Sequence, residues 1–228
     1  MTESKKRNTP LLLTITLIVI LIGAPIAWIV VFKTGKHLTQ KLPILFETSV
    51  DANGDTIYHT IEDFEFTNQL GQKISKESVK GKILLVNFFF ATCHDVCPEM
   101  NRNLQQVYLE FVNDDNVVFL SHTVDPEHDS VPVLLEYSKR FGAEAPKWNF
   151  LTGPKEKIYD MAEESYKLLA NEDRENNTFF HSESIVLVDK EGRVRGIFPG
   201  RRGMAKDGIP AIKDAVRALE YEYSQQSK

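Results

Sequence analysis

The stretch Ile83-Leu84-Leu85-Val86-Asn87-Phe88-Phe89-Phe90 constrains the fold more than any other part of the chain. It is apolar at every position but Asn87 and lacks the alternation of a half-exposed strand, so both of its faces need cover. The sequence after it supplies that cover. Met100, Leu104, Val107, Tyr108 and Phe111 recur at helical spacing, and Val117–Val124 reads as a second strand. Pro132 opens another helix with Leu134, Leu135, Tyr137 and Phe141 on one face and Gly142 as its stop. Trp148–Leu151 reads as a short strand and Lys155–Leu169 as a helix. Ser184–Val188 and Val194–Phe198 are strands joined by Asp189-Lys190-Glu191-Gly192, and Pro210–Tyr223 is a terminal amphipathic helix. Ahead of this core, Asn53-Gly54 marks a hairpin between Phe46–Val50 and Thr56–Ile61, followed by Phe64–Thr67 and a turn at Gln69–Gln72.

The order β-α-β-α-β-α-β-β-α, with crossover helices and a cysteine-bearing loop after the first core strand, predicts one α/β domain of the thioredoxin-like arrangement with an N-terminal β-hairpin extension. The chain has two cysteines, in Cys93-His94-Asp95-Val96-Cys97. Thiols this close form a disulfide or share one metal. Pro98 fits a first helical position, which puts Cys97 at or beside a helix start, where backbone N–H groups and the helix dipole favour thiolate. Thiolates are soft ligands that select Cu(I), with Zn(II) as the other common guest. A structural disulfide is the plain reading, but a bridge across so short a loop constrains little chain entropy.

Two sulfurs do not close a metal site. Of the six histidines, His37 is in a linker, His59 in the hairpin, His122 in a core strand and His128 in a charged loop. His94 sits between the cysteines, where it tends to point away from a metal that both hold. His181 follows Phe179-Phe180 just before the Ser184–Val188 strand. In thioredoxin-like proteins that loop faces the cysteine loop and usually carries a cis-proline; here it offers an imidazole instead. The polar segment 171–178 before it has no apolar anchor, and an ordering of this loop on metal binding is expected. Asp125 and Asp129 follow a strand. Asp129 or Ser130 reads as an N-cap for the helix near Pro132, with an acidic rim beside the site as the functional alternative. Trp148 reads as core.

Phe88-Phe89-Phe90-Ala91-Thr92-Cys93-His94-Asp95-Val96-Cys97-Pro98 resembles the Cys-x-x-x-Cys-Pro signature of the Sco/SenC copper chaperones of cytochrome c oxidase assembly. Val124-Asp125-Pro126-Glu127-His128-Asp129-Ser130-Val131-Pro132 resembles that family's Asp-Pro-Glu-x-Asp-x-x-Pro segment, and Phe180-His181-Ser182 its distal histidine. The resemblance covers about residues 60 to 200. It implies copper, as Cu(I) or Cu(II), on Cys93, Cys97 and His181, with His94, Asp125 and Asp129 at the periphery. It further implies delivery of copper to the binuclear centre of oxidase subunit II, or maintenance of that centre's cysteines in the reduced state. The implied partners are subunit II and a copper donor or thioredoxin-like reductant. His94 stands where relatives commonly have proline. The basic run Arg201-Arg202-Gly203-Met204 has no counterpart in the pattern.

Leu11 to Phe32 is a run of 22 residues without a charge. At ~1.5 Å per residue it spans the roughly 30 Å of a bilayer core. Lys5, Lys6 and Arg7 precede it and Trp28 sits near its far end. The apolar stretch is too long for a cleaved signal peptide, despite Ala24 and Ala27. The expected organisation is a cytoplasmic tail 1–10, a transmembrane anchor 11–32, a linker 33–43 and the domain 44–228. Lys33, Lys36 and Lys41 balance the basic charge across the anchor, so the short tail and the thiol chemistry place the domain on the extracytoplasmic side of a bacterial plasma membrane. The net charge of −5 argues against nucleic acid as a partner. A thiol–disulfide oxidoreductase would normally show Cys-x-x-Cys and the cis-proline. A peroxidase of the peroxiredoxin kind would show a proline upstream of its cysteine. A copper sensor remains a third reading.

Overall fold

The computed structural model describes residues 17, 19–23, 25, 41–168, 183–201 and 208–226. The rest of the expected anchor, the linker residues 33–40, His181 and Arg202 to Met204 lie outside them. The chain divides into two units, Met1–Gln40 and Lys41–Lys228. In the first, Val19–Gly23 forms a helical turn, and Leu17, Val19, Leu21 and Ile22 are exposed. Among the described residues, no helix is long and apolar enough to cross a membrane.

The second unit is built on β5 (Ile83–Phe89), all seven of whose residues are buried. It lies inside a seven-stranded sheet with β3 (Glu65–Asn68), β4 (Lys73–Ser75), β6 (Val117–Thr123), β7 (Trp148–Thr152), β8 (Ser184–Val188) and β9 (Val194–Pro199), in the order β4-β3-β7-β6-β5-β8-β9. β5, β6 and β7 run parallel; β8 is antiparallel to β5, β9 to β8 and β3 to β7. This is a mixed α/β sheet, and its β7-β6-β5-β8-β9 part fits the thioredoxin-like order. The hairpin β1 (Glu47–Val50) and β2 (Thr56–Tyr58) stands outside the sheet. The Asp51 carboxylate accepts the N–H groups of Asn53 and Asp55 in its turn, and Gly54 takes a positive φ there.

Alternation along β5 divides the core into two layers. Ile83, Leu85 and Phe89 face α1 (Val96–Phe111), α2 (Val131–Lys139) and α4 (Gly208–Gln226), in a cluster with Leu104, Val107, Trp148 and Val216. Leu84, Val86 and Phe88 face Phe64, Phe66, Val79 and α3 (Lys155–Asp160) on the other side. Trp148 is fully buried, as expected.

Two helices depart from the expected bounds. α1 starts at Val96, so Pro98 is its third residue rather than its first; the missing N–H still falls in the first turn, where no intrahelical partner exists. The helix expected over Lys155–Leu169 is regular only to Asp160. Met161–Ser165 widens into an i→i+5 turn, with the Tyr166 N–H donating to Met161 O at 3.1 Å, and a positive φ at Lys167 ends it. The widening turns Tyr166 into the core, where it is fully buried.

Candidate metal centre

The end of β5 delivers the chain into the loop 90–95, and α1 takes it up at once. Cys93 lies in this loop and Cys97 at the second position of the helix, 8% and 4% exposed. The Cys97 N–H donates to Cys93 Sγ at 3.4 Å, and the Cys93 N–H donates to Phe90 O at 3.2 Å. Both thiols are free. Their environments push them apart, and the thiol that the helix start favours is Cys93, not Cys97 as its position in the sequence suggests. Burial disfavours the Cys93 thiolate, but the backbone N–H groups of Cys97, Asp95 and Val96 outweigh it and hold this thiol below the ordinary range. Burial, and then the neighbouring Cys93 sulfur, push Cys97 up to about 12. Two adjacent, largely buried sulfurs, one of them biased toward thiolate by a helix start, are a soft donor pair and suit Cu(I).

A polar chain backs the pair. Asn87 donates to Asn101 Oδ1 at 2.8 Å and accepts from Ser121 Oγ at 2.6 Å. Asn101 donates to the Tyr137 hydroxyl at 3.2 Å. Burial raises the Tyr137 phenol well above its usual range, and both cysteines add to the shift, which puts the ring close to the sulfurs.

Asp129 is placed differently from the cap reading. Ser130 is the residue before α2 and makes no side-chain cap bond. The Asp129 carboxylate is fully buried instead: one oxygen accepts the Ala91 N–H at 2.9 Å and the Thr123 hydroxyl at 2.5 Å, and the other meets His128 Nδ1 at 3.0 Å. It therefore fixes the chain two residues before Cys93. An acidic residue after a strand reads as a cap in sequence because the partner that claims it, Ala91, is 38 positions away. Asp125 is part-buried, and its N–H donates to Thr123 Oγ1 at 3.0 Å. Asp125, His128 and Asp129 bring ligand atoms within 4.8 Å of one another, but the Asp129 oxygens are already spent on hydrogen bonds. The contact with Asp129 raises the His128 imidazole above its ordinary value. His94 is exposed.

The segment that carries His181 is followed by Glu183, the first described residue after it. Arg201 reaches Glu183 Oε1 at 3.3 Å, Glu99 Oε2 at 3.3 Å and Asp95 Oδ1 at 3.7 Å. No spacing rule brings residues 95, 99, 183 and 201 together, and the sequence left Arg201 unassigned.

Comparison with known proteins bears on the family of the chain. The sequence profile described as SCO1/SenC matches residues 52–217. The SCO1 protein homolog of Bacillus subtilis (strain 168) is 29% identical over 181 residues, spanning 78% of this chain and 94% of that protein. Among solved structures, BsSco, described as a member of the Sco family of cytochrome c oxidase assembly proteins with a disulfide switch, superposes with a TM-score of 0.62 at 25% identity, over 81% of this chain and 98% of that one. Bradyrhizobium japonicum ScoI with copper bound superposes with a TM-score of 0.55 at 27% identity, over 70% and 99%. With its profile covering the seven-stranded sheet and the cysteine loop, the chain belongs to the SCO1/SenC family.

Proposed function

We propose that this chain is a membrane-anchored copper chaperone of cytochrome c oxidase assembly. Cys93, Cys97 and His181 hold one Cu(I), and residues 11–32 anchor the domain outside the cytoplasm. The observation that carries the reading is the pair of adjacent free thiols at the start of α1, one held below and one above the ordinary thiol range. Cys93 supplies the first thiolate. Cys97 gives up its proton when the metal replaces it, so copper uptake releases protons and weakens as the pH falls. Oxidation of the pair to a disulfide removes two ligands together and expels the metal. A three-coordinate Cu(I) stays open to the thiolates of a partner, which allows transfer to the binuclear centre of subunit II by ligand exchange, with His181 leaving first.

A second reading has its own support. A thiol held below its ordinary value beside a partner thiol is what an attacking cysteine needs. The same pair would then reduce the cysteines of subunit II.

Titration of the reduced full chain in detergent with Cu(I) and with Zn(II) tests both. One tight copper per chain is expected, lost in Cys93→Ser and in Cys97→Ser and weakened in His181→Ala. Unchanged affinity in His181→Ala removes the third ligand. Absence of copper binding together with rapid turnover of a disulfide substrate replaces the chaperone by the reductase.

A further inference from the structure

Gly200 directly follows β9 and lies against α1. A Cβ there would lie 2.6 Å from Met100 Cγ and 2.9 Å from Glu183 O, so the backbone approaches as only glycine allows. The Gly200 N–H donates to Glu183 O at 2.6 Å, and its carbonyl accepts from Asn103 Nδ2 at 2.7 Å. This close seat brings the next side chain, Arg201, over the first turn of α1. Its planar fork then meets three carboxylates from three parts of the chain: Asp95 between the cysteines, Glu99 two residues after Cys97, and Glu183 before β8. Glu183 is part-buried. Its Oε2 is buried and has no partner among the described residues, so Arg201 is the cation that answers its charge.

We propose that Arg201 is a positioning residue for the dithiol, which ties the cysteine loop and the start of α1 to Glu183 and offsets the negative charge gathered round the two sulfurs. The inference rests on the copper reading above. A Cu(I) held by two thiolates carries net negative charge, and without Arg201 the carboxylates of Asp95 and Glu183 would add to it and oppose its formation. Lysine keeps the charge but not the geometry, because a single ammonium cannot meet three carboxylates in the directions a guanidinium fork does.

The test is a double-mutant cycle on Cu(I) affinity and on the thiol–disulfide equilibrium of the copper-free chain, using Arg201→Gln, Glu183→Gln and the double variant, with Arg201→Lys alongside. Arg201→Gln is expected to weaken Cu(I) about tenfold and Arg201→Lys about threefold. The double variant should fall less than the product of the two single effects, since removing Glu183 also removes the charge that Arg201→Gln strands. The thiol–disulfide constant should shift toward the disulfide in the same rank order. Affinities within twofold of the unsubstituted chain, or single effects that simply multiply, overturn the proposal. Should Arg201→Gln not fold, Arg201→Lys against Glu183→Gln is read in the same way. A chain that binds no Cu(I) before any substitution overturns the copper reading instead, and the thiol–disulfide constants then decide on Arg201 alone.

Discussion

The two layers of the core treat buried polarity in opposite ways. On the α1 side, Asn87, Asn101, Ser121, Tyr137 and Trp148 form a connected chain, with the Trp148 indole N–H donating to Ser121 Oγ at 2.9 Å. On the other side, His122 is 0% exposed among Phe64, Phe66 and Phe88, and neither ring nitrogen has a partner among the described residues. The Tyr166 hydroxyl, with ring centroids 6.0 Å from His122, is equally alone. Buried groups that are fully bonded specify one arrangement, whereas orphaned ones cost free energy. The paired layer is the one that supports the cysteines, and the unpaired layer lies on the opposite face of β5.

The contrast breaks most visibly in acid. Burial pushes His122 down to about 3, so the unfolded chain takes up a proton near pH 6.5 that the folded chain refuses. Stability at this site is constant above that pH and falls as pH drops toward 3, by about 1.4 kcal/mol per unit. In His122→Leu this loss should vanish. Unfolding free energies of the two chains from urea titration should diverge by about 4 kcal/mol near pH 3.5 beyond their difference at pH 8; parallel curves would mean that the imidazole finds a partner. Next in size is Asn101→Ala, which strands the Asn87 amide and empties space behind the cysteines. A loss of about 2 kcal/mol is expected by urea unfolding at pH 8. His122→Leu at pH 8 should move the other way and stabilise by about 1 kcal/mol, since it removes two orphaned nitrogens at similar volume. Tyr166→Phe sharpens the same point at the smallest scale, with a gain of about 0.5 kcal/mol in thermal unfolding. Destabilisation by either of these last two substitutions would place both orphans in a bonded network.

How far the sequence reaches differs between these layers for the same reason. The apolar run of β5 announces a strand covered on both faces, and its one interruption, Asn87, marks the side on which polar groups converge. Spacing also carries the cysteines, because a loop and a helix start are local. Asp129, Arg201 and the isolation of His122 are not local. Asp129 serves Ala91 across two strands, Arg201 serves residues about 18, 102 and 106 positions away, and whether a strand histidine finds a partner depends on what packs over it. The widened turn at Met161 escapes for a related reason: its residues read as good helix, and the placement of Tyr166 in the core decides otherwise.

One cluster lies far from the cysteines. Arg195 is fully buried and bonds Asp189 at 3.0 Å and Glu222 at 2.7 Å, and two further N–H groups hold the carbonyls of Leu42 at 2.7 Å and Pro43 at 3.1 Å. The Leu45 N–H adds a bond to Val194 O. Val188, next to this cluster, pairs with Leu84 at the start of β5, whereas the cysteine loop leaves its end, roughly 20 Å along a strand of this length. The entry into the domain is therefore fastened by a buried guanidinium at the rim of the sheet opposite the loop that carries the sulfurs.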